Sequence, residues 1–443
     1  MTSDALLNLG PLLEEGQEDE LAQLLSSLHP ADVAEALRPL DMEETIKVMS
    51  YLDIQQAADV LVELTQAARD QVASGLPRAQ LTKLVAEMDS DDAADIVGEL
   101  DGQAAEEVLS AIGGEDSEDV RRLLMYDDET AGGIMQLELV SVLDSDTVSA
   151  VVEKIRALDE EVEDIGHVFV VDGHNGFKGA VSLKDMLLAS QGQTMAELVK
   201  TPDLVVRVDE DQASIALKFQ KYDTRSAPVV DSQNRLLGRI TVDDIIDVVN
   251  EEADKDFYRL AGSSEEEIYT SGVVKTAALR FPWLLFNLCG GFVTSFILNF
   301  FEASLLKTLA LITFVPMVLS LSGAVGSQSA TITVRGLAMG RIGHGGILKN
   351  LWKEQRVTAF MAVAFGLAIA LISGSMHGAV KLGLAVGLSI TTAILVSAFL
   401  GALTPIFFQA VKVDPALASG PVVTSTNDVV SLLIYTLIGT AVA

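Results

Sequence analysis

Cysteine is all but missing from these 443 residues: Cys289 stands alone, so no intrachain disulfide can staple the fold. The five histidines are scattered, and no His/Cys set has the spacing of a zinc site. There is no P-loop, no G-x-S-x-G elbow and no glycosidase-like pairing of carboxylates, so no constellation supports an enzyme. Residues 1–10, M-T-S-D-A-L-L-N-L-G, lack the basic start and apolar core of a signal peptide, which predicts a cytoplasmic N-terminal region. The last third lacks charge. Uncharged runs occupy 281–301, 308–334, 357–376 and 382–411, and a fifth apolar segment from Pro415 is interrupted by one acid, Asp428.

About twenty apolar residues carry a helix across a hydrocarbon core, so these five stretches predict a multi-pass domain in a cell membrane, surrounded by its lipids. Lys275 and Arg280 precede the first span, and Arg335, Arg341, Lys349, Lys353 and Arg356 fill the second loop. The first and third loops carry only Lys307 and Lys381 as bases, which puts the N-terminus inside and the C-terminus outside. An ionisable group at the depth of Asp428 is expensive and persists where something hydrophilic faces it: a protein group, a water column or an ion.

The membrane part, residues 271–443, holds four acids against ten bases, which leaves residues 1–270 with fifty-nine acids, twenty bases and a net charge of −39. A region of that sign repels nucleic acid and anionic lipid and attracts cations.

Residues 21–124 repeat with a period of 12. Leu28, Leu40, Leu52, Leu64, Leu76, Met88, Leu100, Ile112 and Leu124 share one phase, and Ala36, Val48, Val60, Val72, Leu84, Ile96, Val108 and Val120 fall four residues before members of it. The spacing predicts eight or so helices of about ten residues, each carrying an i,i+4 apolar pair and joined by tight two-residue turns, as a solenoid. Asp91 and Asp95, in D-S-D-D-A-A-D, share a helical face; that face is either solvated or bridged by a cation.

Strands then alternate with helices: a strand at 139–142, a helix over 146–158, strand and turn over 167–177, and G-A-V-S-L-K-D-M-L-L at 179–188. The same order returns at 204–208, 211–222 and 227–248, a tandem α/β pair whose faces bury each other. Each copy ends in G-x-x-S/T-x-x-D, Gly179/Ser182/Asp185 and Gly238/Thr241/Asp244, which resembles the tail of cystathionine-beta-synthase (CBS) domains. The resemblance implies adenine nucleotides such as ATP as ligands, with Ser182, Asp185, Thr241 and Asp244 on the ribose and phosphate side; a hydroxyl and a carboxylate before a helix are equally an N-cap. Beyond the second copy, Asp244, Asp247 and Glu251 lie three and four apart on one face of a helix that also carries Glu252, Asp254 and Asp256. Clustered carboxylates suit a hard divalent cation.

The expected architecture is multi-domain: an α-helical solenoid, a tandem α/β CBS pair and an α-helical transmembrane domain of five spans. Its divisions fall at 1–130 for the acidic helical part, 131–200 and 201–246 for the two copies, 247–275 for the connecting helix and 276–443 for the membrane part. With G-x-Q-S in the second span and D-P-A-L-x-S-G-P followed by T-x-x-x-D in the fifth, the whole chain resembles the MgtE-type family of magnesium channels. The resemblance implies a homodimer with a pore lined by the second and fifth spans, a magnesium ion near Asp428, and Asp414 at the cytoplasmic mouth. It implies regulatory ions at Asp91 and Asp95 in the N-domain, Asp223 and Asp244 in the second CBS copy, and Asp247, Glu252 and Asp256 on the connecting "plug" helix. Two positions depart from the family pattern: Lys255 stands where the plug carries another acid, and Ala324 where the second span often has Asn. The expected function is magnesium conduction into the cytoplasm, closed by cytoplasmic magnesium. The competing readings are a coupled transporter of manganese or cobalt and a membrane-anchored nucleotide or ion sensor.

Overall fold

The computed structural model describes residues 18–157, 165–263, 267, 272–339, 342, 346–418 and 420–442. Residues 1–10, Arg341 and the last residue of the expected 146–158 helix lie outside the described residues. The contacts divide the chain into two units, Met1–Asn250 and Glu251–Ala443.

The first unit opens with short helices: α1 (Glu18–Leu25), α2 (Pro30–Leu37), α3 (Met42–Met49), α4 (Ile54–Val62), α5 (Gln66–Gly75), α6 (Arg78–Val85), α7 (Ser90–Gly98), α8 (Gly102–Ile112) and α9 (Gly114–Leu123). From α2 to α9 helices pack against the next but one, which makes a solenoid. The valine phase is its core, since Ala36, Val48, Val60, Val72, Leu84, Ile96, Val108 and Val120 are all buried. The leucine phase corrects the expected i,i+4 helical pair. Leu28, Leu40, Leu52, Leu64, Met88 and Leu100 sit in the connections, past the end of their helices. The cause is visible at the C-termini: the amides of Leu28, Leu40, Leu52, Met88 and Leu100 bond the carbonyl three residues back. That tighter turn ends the helix and folds its apolar residue down onto the core. Part of the acid excess is also structural, because Asp41 and Asp53 accept amide hydrogen bonds as N-caps of α3 and α4.

The α/β pair follows, with β1 (Ser141–Leu143), α10 (Val148–Ala157), β2 (His167–Val171), β3 (Phe177–Ser182), α11 (Leu183–Leu188) and α12 (Met195–Leu198), then β4 (Val206–Arg207), α13 (Gln212–Tyr222), β5 (Ser226–Val230) and β6 (Leu236–Thr241). Each copy forms a three-stranded sheet in which the first two strands are parallel and the last two antiparallel. The copies dock reciprocally. Asn175 Nδ2 donates to the Leu236 carbonyl and Asn234 Nδ2 to the Phe177 carbonyl, both at 2.9 Å, over a shared apolar cluster of Phe169, Val171, Phe177, Val230 and Leu236. Helix α14 (Val242–Ala261) runs through the division between the units.

The second unit holds five helices long and apolar enough to cross a membrane: Val273–Phe300, Glu302–Ala338, Ile347–His377, Val380–Ala410 and Pro421–Val442, called the first to fifth spans. In the second, a 3-10 segment with a non-helical Thr308 precedes the regular helix Val315–Ala338. Pro316 and Pro421 begin helices and do not loosen them, because proline in a first turn gives up an amide that has no partner there anyway. The fourth span is central, packing on the second, third and fifth, and its contact faces are built from small residues. A Cβ on Gly401 would lie 2.2 Å from the Gly326 carbonyl oxygen, and one on Gly387 would lie 2.6 Å from that of Gly366. Backbone contact of this kind is how helices associate where lipid offers no hydrophobic drive. Gly401→Ala must push the second and fourth spans apart, at a cost of about 1–3 kcal/mol. The expected result is a lowered melting temperature in detergent, measured by fluorescence-detected gel filtration; an unchanged melt would mean that the two spans do not touch at this point.

Candidate functional site

Three groups of acids stand out, two in the second unit and one in the first. In the membrane part the second and fifth spans meet at Gly323 and Asp428: a Cβ on Gly323 would find only Asp428 Oδ1 nearby, at 3.9 Å. Asp428 is half-buried, and among the described residues no hydrogen bond or ion pair engages it. Its neighbour Asn427 lies against the same span, at Gly326. Asn427 is 1 % exposed, neither end of its amide has a partner among the described residues, and its Nδ2 would lie 1.7 Å from a Cβ on Gly326. The fifth span is tied on either side of this level, where Ser425 Oγ donates to Asn287 Oδ1 of the first span at 2.6 Å and the Tyr435 hydroxyl to the Leu311 carbonyl at 2.8 Å. Gly323 is therefore the open glycine facing the acid, while Gly326 is consumed by packing.

The second group lies where α14 meets the start of the fifth span. Asp414 accepts from the Ala416 amide at 2.7 Å and forms an ion pair with Arg259. Asp256 is pushed up by burial, then by the charges of Asp414 and Glu252, and is held back by Arg259 and Arg335. Lys255 pairs with Glu252 at 3.0 Å. Glu252, Asp256 and Asp414 thus share their surroundings with Lys255, Arg259 and Arg335.

The third group is in the first unit. The stretch Met135–Glu138 is clamped on one side by β6, where Arg239 Nε donates to Gln136 Oε1 at 2.6 Å. On the other side it holds the start of α7, with the Ser90 amide and hydroxyl donating to Glu138 at 3.2 and 2.8 Å. Since β6 leads directly into α14, the clamp brings Asp91 and Asp92 of α7 beside Asp244. Burial, and next the charge of Asp244, push Asp91 well above the usual carboxylate range. Asp92 is raised to about 8 by burial and then by Asp244, Asp95 and Asp89. Asp244 is raised to about 6 by burial against its hydrogen bonds from Thr241, with Asp243 and Asp247 adding to the rise. Burial also raises Asp95 and Asp247, and the same base opposes it in both, Arg69, whose Nη2 is 3.5 Å from Asp95. Asp91 Oδ1 is buried without a hydrogen-bond partner. Asp223 stands apart chemically: it is exposed, in the left-handed conformation that caps α13, and its charge is not among those acting on Asp91, Asp92 or Asp244.

The hydroxyl–carboxylate pairs of the two copies are closed on themselves. Ser182 Oγ donates to Asp185 at 2.8 Å while capping α11, and Thr241 Oγ1 donates to Asp244 at 2.7 Å. Asp185 also pairs with Lys200 at 2.9 Å. Sequence reasoning missed Asp92, Arg69, Arg259 and Asn427; Asp92 alone had a local signal, adjoining Asp91 in the acidic run.

Among the described residues no three His, Cys, Asp or Glu side chains are placed to hold an ion jointly. Magnesium keeps most of its water and is held through one or two carboxylates. The orphaned Asp91 oxygen and the raised Asp92 and Asp244 are a hard-oxygen donor set short of positive charge, which fits such an ion.

Comparison with known proteins adds the following. Residues 315–438 match the MgtE divalent cation transporter model, residues 28–129 the MgtE intracellular N domain, and residues 131–192 and 195–251 the CBS domain. The magnesium transporter MgtE of Bacillus subtilis (strain 168) is 33 % identical over 322 residues, 73 % of this chain and 71 % of that protein. The magnesium transporter MgtE of Thermus thermophilus is 34 % identical over 320 residues, 71 % of this chain and 70 % of that protein. Among solved structures, the cytosolic domain of the magnesium channel MgtE in complex with ATP is 30 % identical, with a TM-score of 0.52 over 55 % of this chain and 99 % of that one.

Proposed function

The chain belongs to the MgtE family of magnesium transporters, and from that premise we propose that it is a magnesium channel whose ion passes Asp428 and whose soluble acids close it when cytoplasmic magnesium is abundant. Membership makes it a multi-pass membrane transporter and not an enzyme. The observation that carries the conduction reading is the half-buried Asp428 on the fifth span, without a partner among the described residues and facing open space at Gly323 of the second. A hydrated divalent ion supplies what that carboxylate lacks, at less cost than a dry cage.

The pathway reading extends to a homodimer. One acid charges a hydrated ion from one side only, and a two-fold axis doubles each ligand. Mass measurement in mild detergent should give a dimer, and a conducting monomer would sink the paired-acid pore. The N-terminus is cytoplasmic and the C-terminus external in this reading, consistent with the bases of the second loop. The divisions at 1–130, 131–200, 201–246, 247–275 and 276–443 serve as the working domain map.

Closure works through the first unit. Magnesium held largely through its water by one or two of Asp91, Asp92 and Asp244, with Asp95 and Asp247 near, offsets a carboxylate cluster opposed by Arg69. Asp223, exposed at its cap, serves as an outer ligand. Glu252, Asp256 and Asp414 belong to the mouth. ATP, the ligand of the related cytosolic domain, is the nucleotide we assign to the CBS pair. It must open the Ser182–Asp185 and Thr241–Asp244 hydrogen bonds to be held by them. The deciding test is dye-reported uptake in vesicles with magnesium, manganese or cobalt as the sole gradient. Uptake driven by the divalent gradient alone supports the channel; uptake that needs an opposing sodium or proton gradient supports coupled transport.

A further inference from the structure

The charge census of the mouth differs in kind from that of the first unit. Arg69 opposes the charge of Asp92, Asp95 and Asp247 and no base acts on Asp91 or Asp244 among the described residues, whereas Glu252, Asp256 and Asp414 have Lys255, Arg259 and Arg335 beside them. The first group is short of counter-charge and the second is not. At the mouth Arg259, in the last turn of α14, pairs with one oxygen of Asp414, whose other oxygen is held by the Ala416 amide. The backbone around the pair is equally close. A Cβ on Gly420 would lie 2.6 Å from the Leu260 carbonyl oxygen, and one on Gly262, which is at φ +73°, would lie 2.8 Å from Pro421. Only a glycine at each point lets the end of α14 rest on the start of the fifth span.

We propose that Arg259 is a tethered counter-ion that seats the end of α14 on the mouth at Asp414 without a metal, so that a passing divalent ion must displace the guanidinium to reach this carboxylate. A guanidinium is never neutral in a protein and binds a carboxylate in fixed geometry, so the contact persists when no magnesium is present. Arg259 is on this account a positioning residue that sets the resting conductance, while the magnesium response resides in the first unit. The inference rests on the reading of residues 413–435 as part of the ion path.

The test is magnesium influx into vesicles holding the full-length protein, with internal magnesium held near zero so that magnesium-driven closure plays no part. Arg259→Gln should raise initial influx roughly fivefold, the scale of a partly exposed charge pair, and Arg259→Lys should stay near wild type. The Gln-to-wild-type ratio should fall toward one between about 0.1 M and about 1 M monovalent salt, as the Debye length shrinks from roughly 10 Å to roughly 3 Å; a merely structural role of the side chain would leave the ratio unchanged. In the wild-type protein itself, phenylglyoxal labelling of Arg259, read by mass spectrometry, should be slow at the lower salt and several-fold faster at the higher. Wild-type influx in the Gln protein, or labelling equally fast at both salts, would overturn the latch while leaving the conduction reading intact. Absence of influx in the wild type would remove the conduction reading, and the labelling result would still decide whether Arg259 is held.

Discussion

Asp428→Asn is expected to abolish magnesium uptake by vesicles containing the full-length protein while leaving its assembly in detergent unchanged. The substitution keeps the shape of the side chain and removes its charge. It breaks no contact among the described residues, since none pairs with Asp428 and its nearest glycine, Gly323, is 3.9 Å away by the position of a Cβ. The charge itself matters greatly. Two unit charges about 4 Å apart at an effective dielectric of about 20 interact by about 4 kcal/mol. A divalent ion behind one layer of water, farther away but doubly charged, feels an attraction of the same order, so the expected loss of flux is at least about a hundredfold. Asp428→Glu, which keeps the charge and moves it by one methylene, should retain part of the uptake. The measurement is dye-reported magnesium influx at matched protein density, with gel filtration of each variant. An Asn variant that assembles normally and conducts like wild type takes Asp428 out of the ion path.

Hydropathy alone placed Asp428 on the fifth span, because a lone acid in an apolar run is conspicuous at any register. The same clarity held for the valine phase of the solenoid, which marks buried positions in every repeat. It failed for the leucine phase: a 12-residue period does not say whether its second apolar residue ends a helix or follows it. That choice is made by a hydrogen bond to the carbonyl three residues back. Asp414 was legible as an acid just before the fifth span, but its partner Arg259 lies 155 residues earlier and nothing local joins them. Lys255, read from the sequence as a lost acid, pairs with Glu252 one helical turn away. Arg69 was invisible for the same reason as Arg259. Its neighbours Asp95 and Asp247 come from α7 and α14, which meet because residues 135–138 clamp β6 to the start of α7. Charge pairs between distant elements are products of tertiary packing, so a net charge of −39 in residues 1–270 overstated how much of the acid is uncompensated at Glu252 and Asp256 and understated how concentrated it is around Asp91.

The second large effect concerns closure. Asp91→Asn combined with Asp244→Asn is expected to leave the channel open at internal magnesium concentrations that close the wild type, raising the half-closing concentration at least about tenfold. An ion bound only by the compact state favours that state by mass action, and an amide pair cannot bridge through a divalent ion as two carboxylates can. Protons should act in the same direction as magnesium. Asp92 and Asp244 are raised to about 8 and about 6 in the folded unit, against about 3.9 in an unfolded chain. Between those limits the folded unit binds more protons than the unfolded chain, so its stability falls as pH rises through the window from about 4 to about 8. In the proposed closure magnesium takes the place of those protons. Its protection of the first unit against protease should therefore be largest near pH 8 and shrink toward pH 5, and the double variant, which keeps the buried Asp92, should lose most of the magnesium protection and only the Asp244 part of the proton effect. Open probability against cytoplasmic magnesium in excised patches, with limited proteolysis of the same proteins at both pH values, measures both. Closure of the double variant at the wild-type concentration would mean that these acids are a solvated face and that the closing ion binds elsewhere.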